Sequence, residues 1–224
     1  TQQPQELAPG SHTWLGGVKI DVDGATEVPG LFAAGDNASG IHGANRIGGS
    51  ALSAAMVFGV RAGKAAAALA KDSEGVHEAG AGVEGESAKW LTSVWERRDG
   101  IPVEDVRNRI RGIAQTDLGI IREGANLKAA LDRLNAIEAG ELCDLSLAPP
   151  DELESMGKSA RSQAVRAAIE ARNLCLVARM LAMAAELRTE SRGAHYRLDY
   201  PETDPDWTRL TCVRREESRG LACT

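Results

Sequence analysis

Apolar and polar positions alternate over residues 18–22 (V-K-I-D-V) and stop at Asp23-Gly24, a pair that favours tight hairpin turns. This pattern predicts a strand paired with residues 26–28. Pro29-Gly30 resets the chain, and a short apolar run at 31–34 predicts a second strand that ends at Gly35 and Asp36. A loop with glycines at 40, 43, 48 and 49 follows, and an Ala-rich helix is predicted from Ser50 to about residue 70. Gly59 and Gly63 inside that helix each cost about 1 kcal/mol against Ala, so close packing is expected on their side.

Beyond a Gly, Glu and Ser rich stretch at 72–86, read as a linker, the period becomes helical. Helices are predicted over 87–98, over 103–116 after Pro102, over 117–139 and over 159–188. The third carries Ile120, Leu127, Leu131, Leu134 and Ile137 on one stripe, and the fourth Val165, Ile169, Leu176, Met180, Met183 and Leu187. Four antiparallel helices with short connections predict a bundle, with the methionine stripe and Cys175 in its core. Arg172 falls on the buried side and there needs an acidic partner. Pro149-Pro150 marks a break. The polar tail at 189–224 can be ordered only by lying on another surface, and its alternating residues 207–214 predict a last strand. The fold class expected is α/β plus α, with the helical bundle (87–188) between an α/β part (1–71) and the tail.

Composition narrows the function classes. A hydrophobic content of 43% suits a globular chain, and aromatic residues at 4% leave the packing to small side chains. The net charge of −6, a pI near 5.3 and the lack of a dense basic run exclude a nucleic-acid footprint. No uninterrupted apolar run of about 18 residues occurs, so no membrane span is expected, while peripheral association stays open. No secretory signal is read at the start, where Thr1 stands in place of an initiator Met. Cys143, Cys175, Cys212 and Cys223 are scattered without a C-x-x-C pair, which points to reduced thiols in a cytoplasmic protein and to no metal site. The literal G-x-G-x-x-G at 80–85 lacks a preceding strand and a helix opening at its last glycine, and is read as accidental.

The chemistry concentrates at 30–59. Strand, glycine loop and helix start in that order make a place to hold a cofactor, because first-turn amides have no partner inside the helix and point outward. The loop carries one full charge, Arg46, whose planar fork can grip a carboxylate with two hydrogen bonds.

Four motifs, H-T-W-L-G-G (12–17), G-L-F-A-A-G-D (30–36), H-G-A-N-R-I-G-G-S-A-L (42–52) and R-T-E-S-R-G-A-H-Y-R-L-D-Y-P (188–201), resemble in order the C-terminal half of the fumarate reductase, succinate dehydrogenase and L-aspartate oxidase flavoprotein family. The resemblance implies FAD as cofactor and the C-terminal part of a Rossmann-like FAD-binding domain at 1–71. In it Gly35 and Asp36 meet the ribityl chain, and Ser50, Ala51 and Leu52 at the helix start face the flavin. Arg46 and His12 match residues that bind a substrate carboxylate. His42 is typical of the loop without an assigned step, and His195 is read as structural. Trp14 stands where the family commonly has a small polar residue, which alters the pocket wall. The fingerprint that holds the FAD pyrophosphate and the capping domain, which supplies the family's proton-delivering arginine, are not found in these residues, so no catalytic residue is assigned. The expectation is the C-terminal chain of a split or cleaved FAD-dependent oxidoreductase, in which a companion chain supplies those parts and hydride passes between flavin and a small carboxylic acid. The alternatives are an oxidase like L-aspartate oxidase and a non-catalytic interaction subunit with a vestigial flavin loop.

Overall fold

The computed structural model describes residues 12–73, 81–216 and 220–224. They fall into two compact units, one comprising residues up to His77 together with Arg192–His195, the other comprising Glu78–Ser191 and Tyr196–Thr224.

In the first unit, strand β1 (Val18–Lys19) pairs in parallel with β2 (Ala38–Ser39), and helix α1 runs over Ser50–Asp72. The hairpin expected between 18–22 and 26–28 does not form. The Asp21 side chain accepts from the amides of Asp23 and Ala25, both at 2.9 Å, and curls the chain into a local turn that ends the alternation. The reversal occurs instead at Pro29-Gly30: the Leu31 amide donates to the Val28 carbonyl at 3.1 Å, and Ala25 bridges Phe32. Proline at the second position of a turn and glycine at the third, here with φ of +82°, are what a type II turn requires. The strand expected at 31–34 is reduced to that single bridge.

Of α1, only Ala62 is buried, seated on Gly24, where a Cβ would lie 2.7 Å from the Ala62 methyl. Leu52, Met56, Val57 and Val60 are exposed. By length and composition alone α1 suffices to cross a membrane, although Arg61 and Lys64 interrupt its apolar run. Arg61, in mid-helix, donates to the Val22 carbonyl at 2.9 Å, and this bond and the Ala62 contact hold α1 to the first unit's own backbone.

The second unit is a helical bundle: α2 (Ala81–Glu96), β3 (Ile101–Pro102), α3 (Val103–Asp117), β4 (Ile121–Arg122), α4 (Gly124–Ala139), β5 (Leu145–Ser146), α5 (Pro150–Ser155) and α6 (Lys158–Leu187), then β6 (Tyr196–Arg197) and an antiparallel hairpin, β7 (Val213–Glu216) with β8 (Gly220–Cys223). Strand β3 pairs with β5 and β4 with β6, both parallel. Residues 81–86 of the expected linker belong to α2, which disposes of a glycine loop over Ala81–Gly85; Gly80 lies outside the described residues. The helix expected over 117–139 is two elements, because α3 reaches Asp117 and the chain then extends through β4. Ile120 is therefore exposed between helices, while Leu127, Leu134 and Ile137 are buried as predicted. The strand expected over 207–214 begins only at Val213 as β7, since Pro205–Trp207 turns as a short 3-10 helix.

The core face of α6 is not the methionine stripe. Ala168, Ala171, Cys175, Ala178, Ala182 and Ala185 are buried, at the alternating three and four residue spacing of a coiled-coil seam, while Ile169, Leu176 and Leu187 are exposed and Met180 and Met183 half-buried. Small side chains let the helix backbones approach closely, so the large residues come from the other side: Ile110 of α3 and Leu127 and Leu134 of α4 share that cluster. The Cys175 thiol donates to the Leu134 carbonyl at 3.5 Å, and burial pushes it up to about 11, which makes it unreactive. Arg172 is exposed and lies over the Trp90 ring at 5.1 Å, so a ring face and not a buried glutamate receives its charge. Ala171→Leu should destabilise the bundle by about 1–3 kcal/mol through overpacking. Denaturant titration checks this, and an unchanged midpoint would contradict the close seam.

The tail is held by buried charge. Arg197, 2% exposed, donates to the carbonyls of Ala185 (2.7 Å), Glu186 (3.1 Å) and Arg188 (3.2 Å) at the end of α6, and forks onto both oxygens of Asp199 at 2.8 and 2.7 Å. Asp199 in turn accepts from the Gly124 amide at the start of α4, at 3.1 Å. One ion pair therefore satisfies orphan groups at two helix ends. A Cβ on Gly124 would lie 2.8 Å from both Arg197 and Asp199, so a side chain there would displace the ion pair. The fully buried Glu190 pairs with Arg188 and accepts from the Asp204 amide at 2.9 Å.

The hydrogen bonds from Arg197 hold the Asp199 carboxyl down at about 2. A carboxylate with a lowered folded pKa contributes stability above its unfolded value of about 4, and that stability is lost as pH falls towards 2. Denaturation midpoints measured across this window should fall more steeply for the wild type than for Asp199→Asn.

Candidate functional site: the glycine loop and the start of helix α1

The site is built on short-range backbone contacts. Gly17 abuts Asn37, where a Cβ would lie 2.5 Å from the carbonyl oxygen, so the chain just before β1 lies against the Gly35–Asn37 turn. Gly35 adopts φ of +71° and faces Ala55 of α1, leaving Asp36 exposed on the turn between β1 and the first turns of the helix. Gly49 caps α1 in the left-handed region at φ 82°, with no side chain bonded to the helix end. Around Gly48 and Gly49 the space is open, and the first-turn amides at Ala51 and Leu52 face outward. Ser50 is turned back, its hydroxyl donating to the Ile47 carbonyl at 2.7 Å.

Arg46 is half-buried in the loop that ends at this turn and, among the described residues, has no ion pair or hydrogen bond. His12 is exposed and His42 half-buried. No bond links His12, Asp36 and Arg46 to one another among the described residues, so they are gathered onto one small unit without being interlocked.

A contact that the sequence does not foreshadow bears on this loop. The Ala194 amide donates to the Ala44 carbonyl at 3.0 Å, and Gly193 packs flat on the same peptide. The sequence marks these residues only as part of the 188–201 motif and gives no sign that they meet the 42–48 loop.

Comparison with known proteins decides the family. Residues 107–222 match the fumarate reductase flavoprotein C-terminal family, and residues 1–52 match the FAD binding domain family. The chain belongs to the fumarate reductase flavoprotein family. It is 37% identical over 215 residues to a subunit of the fumarate reductase (CoM/CoB) of Methanothermobacter marburgensis, covering 96% of this chain and 37% of that one. L-aspartate oxidase of Nostoc is 30% identical, covering 96% of this chain and 38% of that one. Among solved structures, Mycobacterium smegmatis Sdh1 in complex with UQ1 superposes with a TM-score of 0.80 at 31% identity, over 95% of this chain and 34% of that one.

The chain thus spans a little over a third of the length of these flavoprotein relatives. The expected fold class, part of an FAD-binding domain followed by a helical C-terminal domain, is that of the family, and FAD is the cofactor it implies.

Proposed function

We propose that this chain supplies the carboxylate-binding and flavin-facing side of an FAD-dependent oxidoreductase acting on a small carboxylic acid, completed by a companion that carries the remaining FAD-binding and capping parts. The observation that carries the reading is Arg46: a half-buried guanidinium, unpaired among the described residues, four residues before an uncapped helix start. A partly desolvated cation left without a counter-ion is costly, and a substrate carboxylate supplies one.

The residues fit FAD on one structural point, the open space at Gly48 and Gly49 in front of an unsatisfied helix N-terminus. There the amides of Ala51 and Leu52 would face the isoalloxazine edge, where a helix start stabilises negative charge. Gly35 and Asp36 would meet the ribityl chain, with Ser50 keeping the loop closed against the helix. When bound, FAD supplies the hydride chemistry. Arg46 grips one carboxylate and sets the substrate's distance, and His12 donates to the same or a second carboxylate. The exposed apolar side chains of α1 (Leu52, Met56, Val57 and Val60) support a companion that covers them. That companion is either a separate polypeptide or the remaining segment of the same protein.

Anaerobic mixing tests the reading. The complex of this chain with its companion, loaded with FAD and reduced chemically, should be reoxidised by fumarate. If L-aspartate bleaches the oxidised flavin instead, the L-aspartate oxidase alternative holds, and no response to either acid would sink the proposal.

A further inference from the structure

We infer that the Arg192–His195 turn is a positioning element for Arg46, with Gly193 its indispensable residue; this rests on the carboxylate-binding reading of Arg46. The turn is closed on itself by two backbone bonds, Arg192 amide to His195 carbonyl at 2.8 Å and His195 amide to Arg192 carbonyl at 3.0 Å. From that rigid turn the Ala194 amide reaches the carbonyl of Ala44, two residues before Arg46. Gly193 adopts φ of +59°, and a Cβ there would clash with the Ala44 carbonyl oxygen and lie 2.6 Å from its carbon. Any side chain at 193 therefore pushes the Ala44 peptide away.

Arg46 has no bond of its own to hold it, among the described residues, so its aim is set by the loop backbone. That backbone is fixed at two places. One is the turn at Ile47 to Ser50, where the Ser50 amide donates to the Ile47 carbonyl at 3.2 Å, and the other is Ala44. Releasing Ala44 leaves the guanidinium on a loop hinged at one end. A bidentate grip depends on orientation, so binding should suffer before chemistry does.

The test is titration of the flavin absorption with fumarate in the FAD-loaded holoenzyme. Gly193→Ala should raise the apparent Kd and the KM for fumarate about tenfold or more, as expected for losing one charged hydrogen bond, while changing kcat less than threefold. Arg46→Lys serves as the reference and should weaken fumarate binding at least as much. If Arg46→Lys weakens binding and Gly193→Ala does not, the positioning role is overturned while the clamp stands; if Arg46→Lys has no effect, the clamp itself fails. Hydrogen exchange on the wild-type holoenzyme covers the case in which Gly193→Ala does not fold. Saturating fumarate should slow exchange in peptides spanning 42–48 and 192–195 together, and slowing confined to 42–48 would overturn the inference.

Discussion

Arg46→Glu should lower turnover of the carboxylic acid by about a thousandfold while FAD remains bound. Two charge-assisted hydrogen bonds at roughly 1.5–3 kcal/mol each are lost, a factor of about 10² to 10⁴, and the new carboxylate repels the substrate. Flavin content should be unchanged, because the amides of Ala51 and Leu52 and the Gly35 to Asp36 turn do not depend on the Arg46 side chain. Steady-state rates normalised to bound flavin check this, and a rate within threefold of wild type would remove Arg46 from the site.

Arg197→Ala should be the most destabilising single change in the second unit. Five hydrogen bonds leave that guanidinium, three of them for carbonyls at the end of α6, and the substitution strands those carbonyls together. Leaving buried or part-buried acceptors unsatisfied costs about 1–3 kcal/mol each, while the exposed Asp199 carboxylate is rehydrated. For a unit of this size the melting temperature should fall by about 10 °C. Arg197→Lys should recover little, since an ammonium cannot fork onto two carboxylate oxygens while reaching three carbonyls. A drop below about 2 °C for the alanine variant would show that the tail is held by its apolar contacts and not by this network.

These two arginines also mark the limit of what the sequence discloses. Arg46 stands out because it is the one full charge in a glycine loop before a long helix, a local pattern with a local reason. Arg197 does not stand out: its partners are main-chain carbonyls about a dozen residues back and a carboxylate that reaches Gly124, 75 residues away. The helices are legible from their period, and their breaks less so, because Asp117 and Gly119 allow a helix to run on or to stop. On α6 the size of Met and Leu suggests a stripe that the alanine seam overrides, because close backbone approach favours the smallest side chains. At the N-terminal turn two competing signals, Asp-Gly and Pro-Gly, are both present, and the Asp21 side chain settles the matter by occupying the first. The Gly35 to Leu52 loop is recognisable through its motifs, whereas the seat of Ala44 on Gly193 joins residues some 150 positions apart and leaves no periodic trace.

An experimental structure of the FAD-loaded protein with fumarate is the most direct test. The guanidinium of Arg46 should lie about 2.7–2.9 Å from a fumarate carboxylate, with the amides of Ala51 and Leu52 against the isoalloxazine edge. Arg46 turned into an ion pair with its own chain, and fumarate bound elsewhere, would contradict the account.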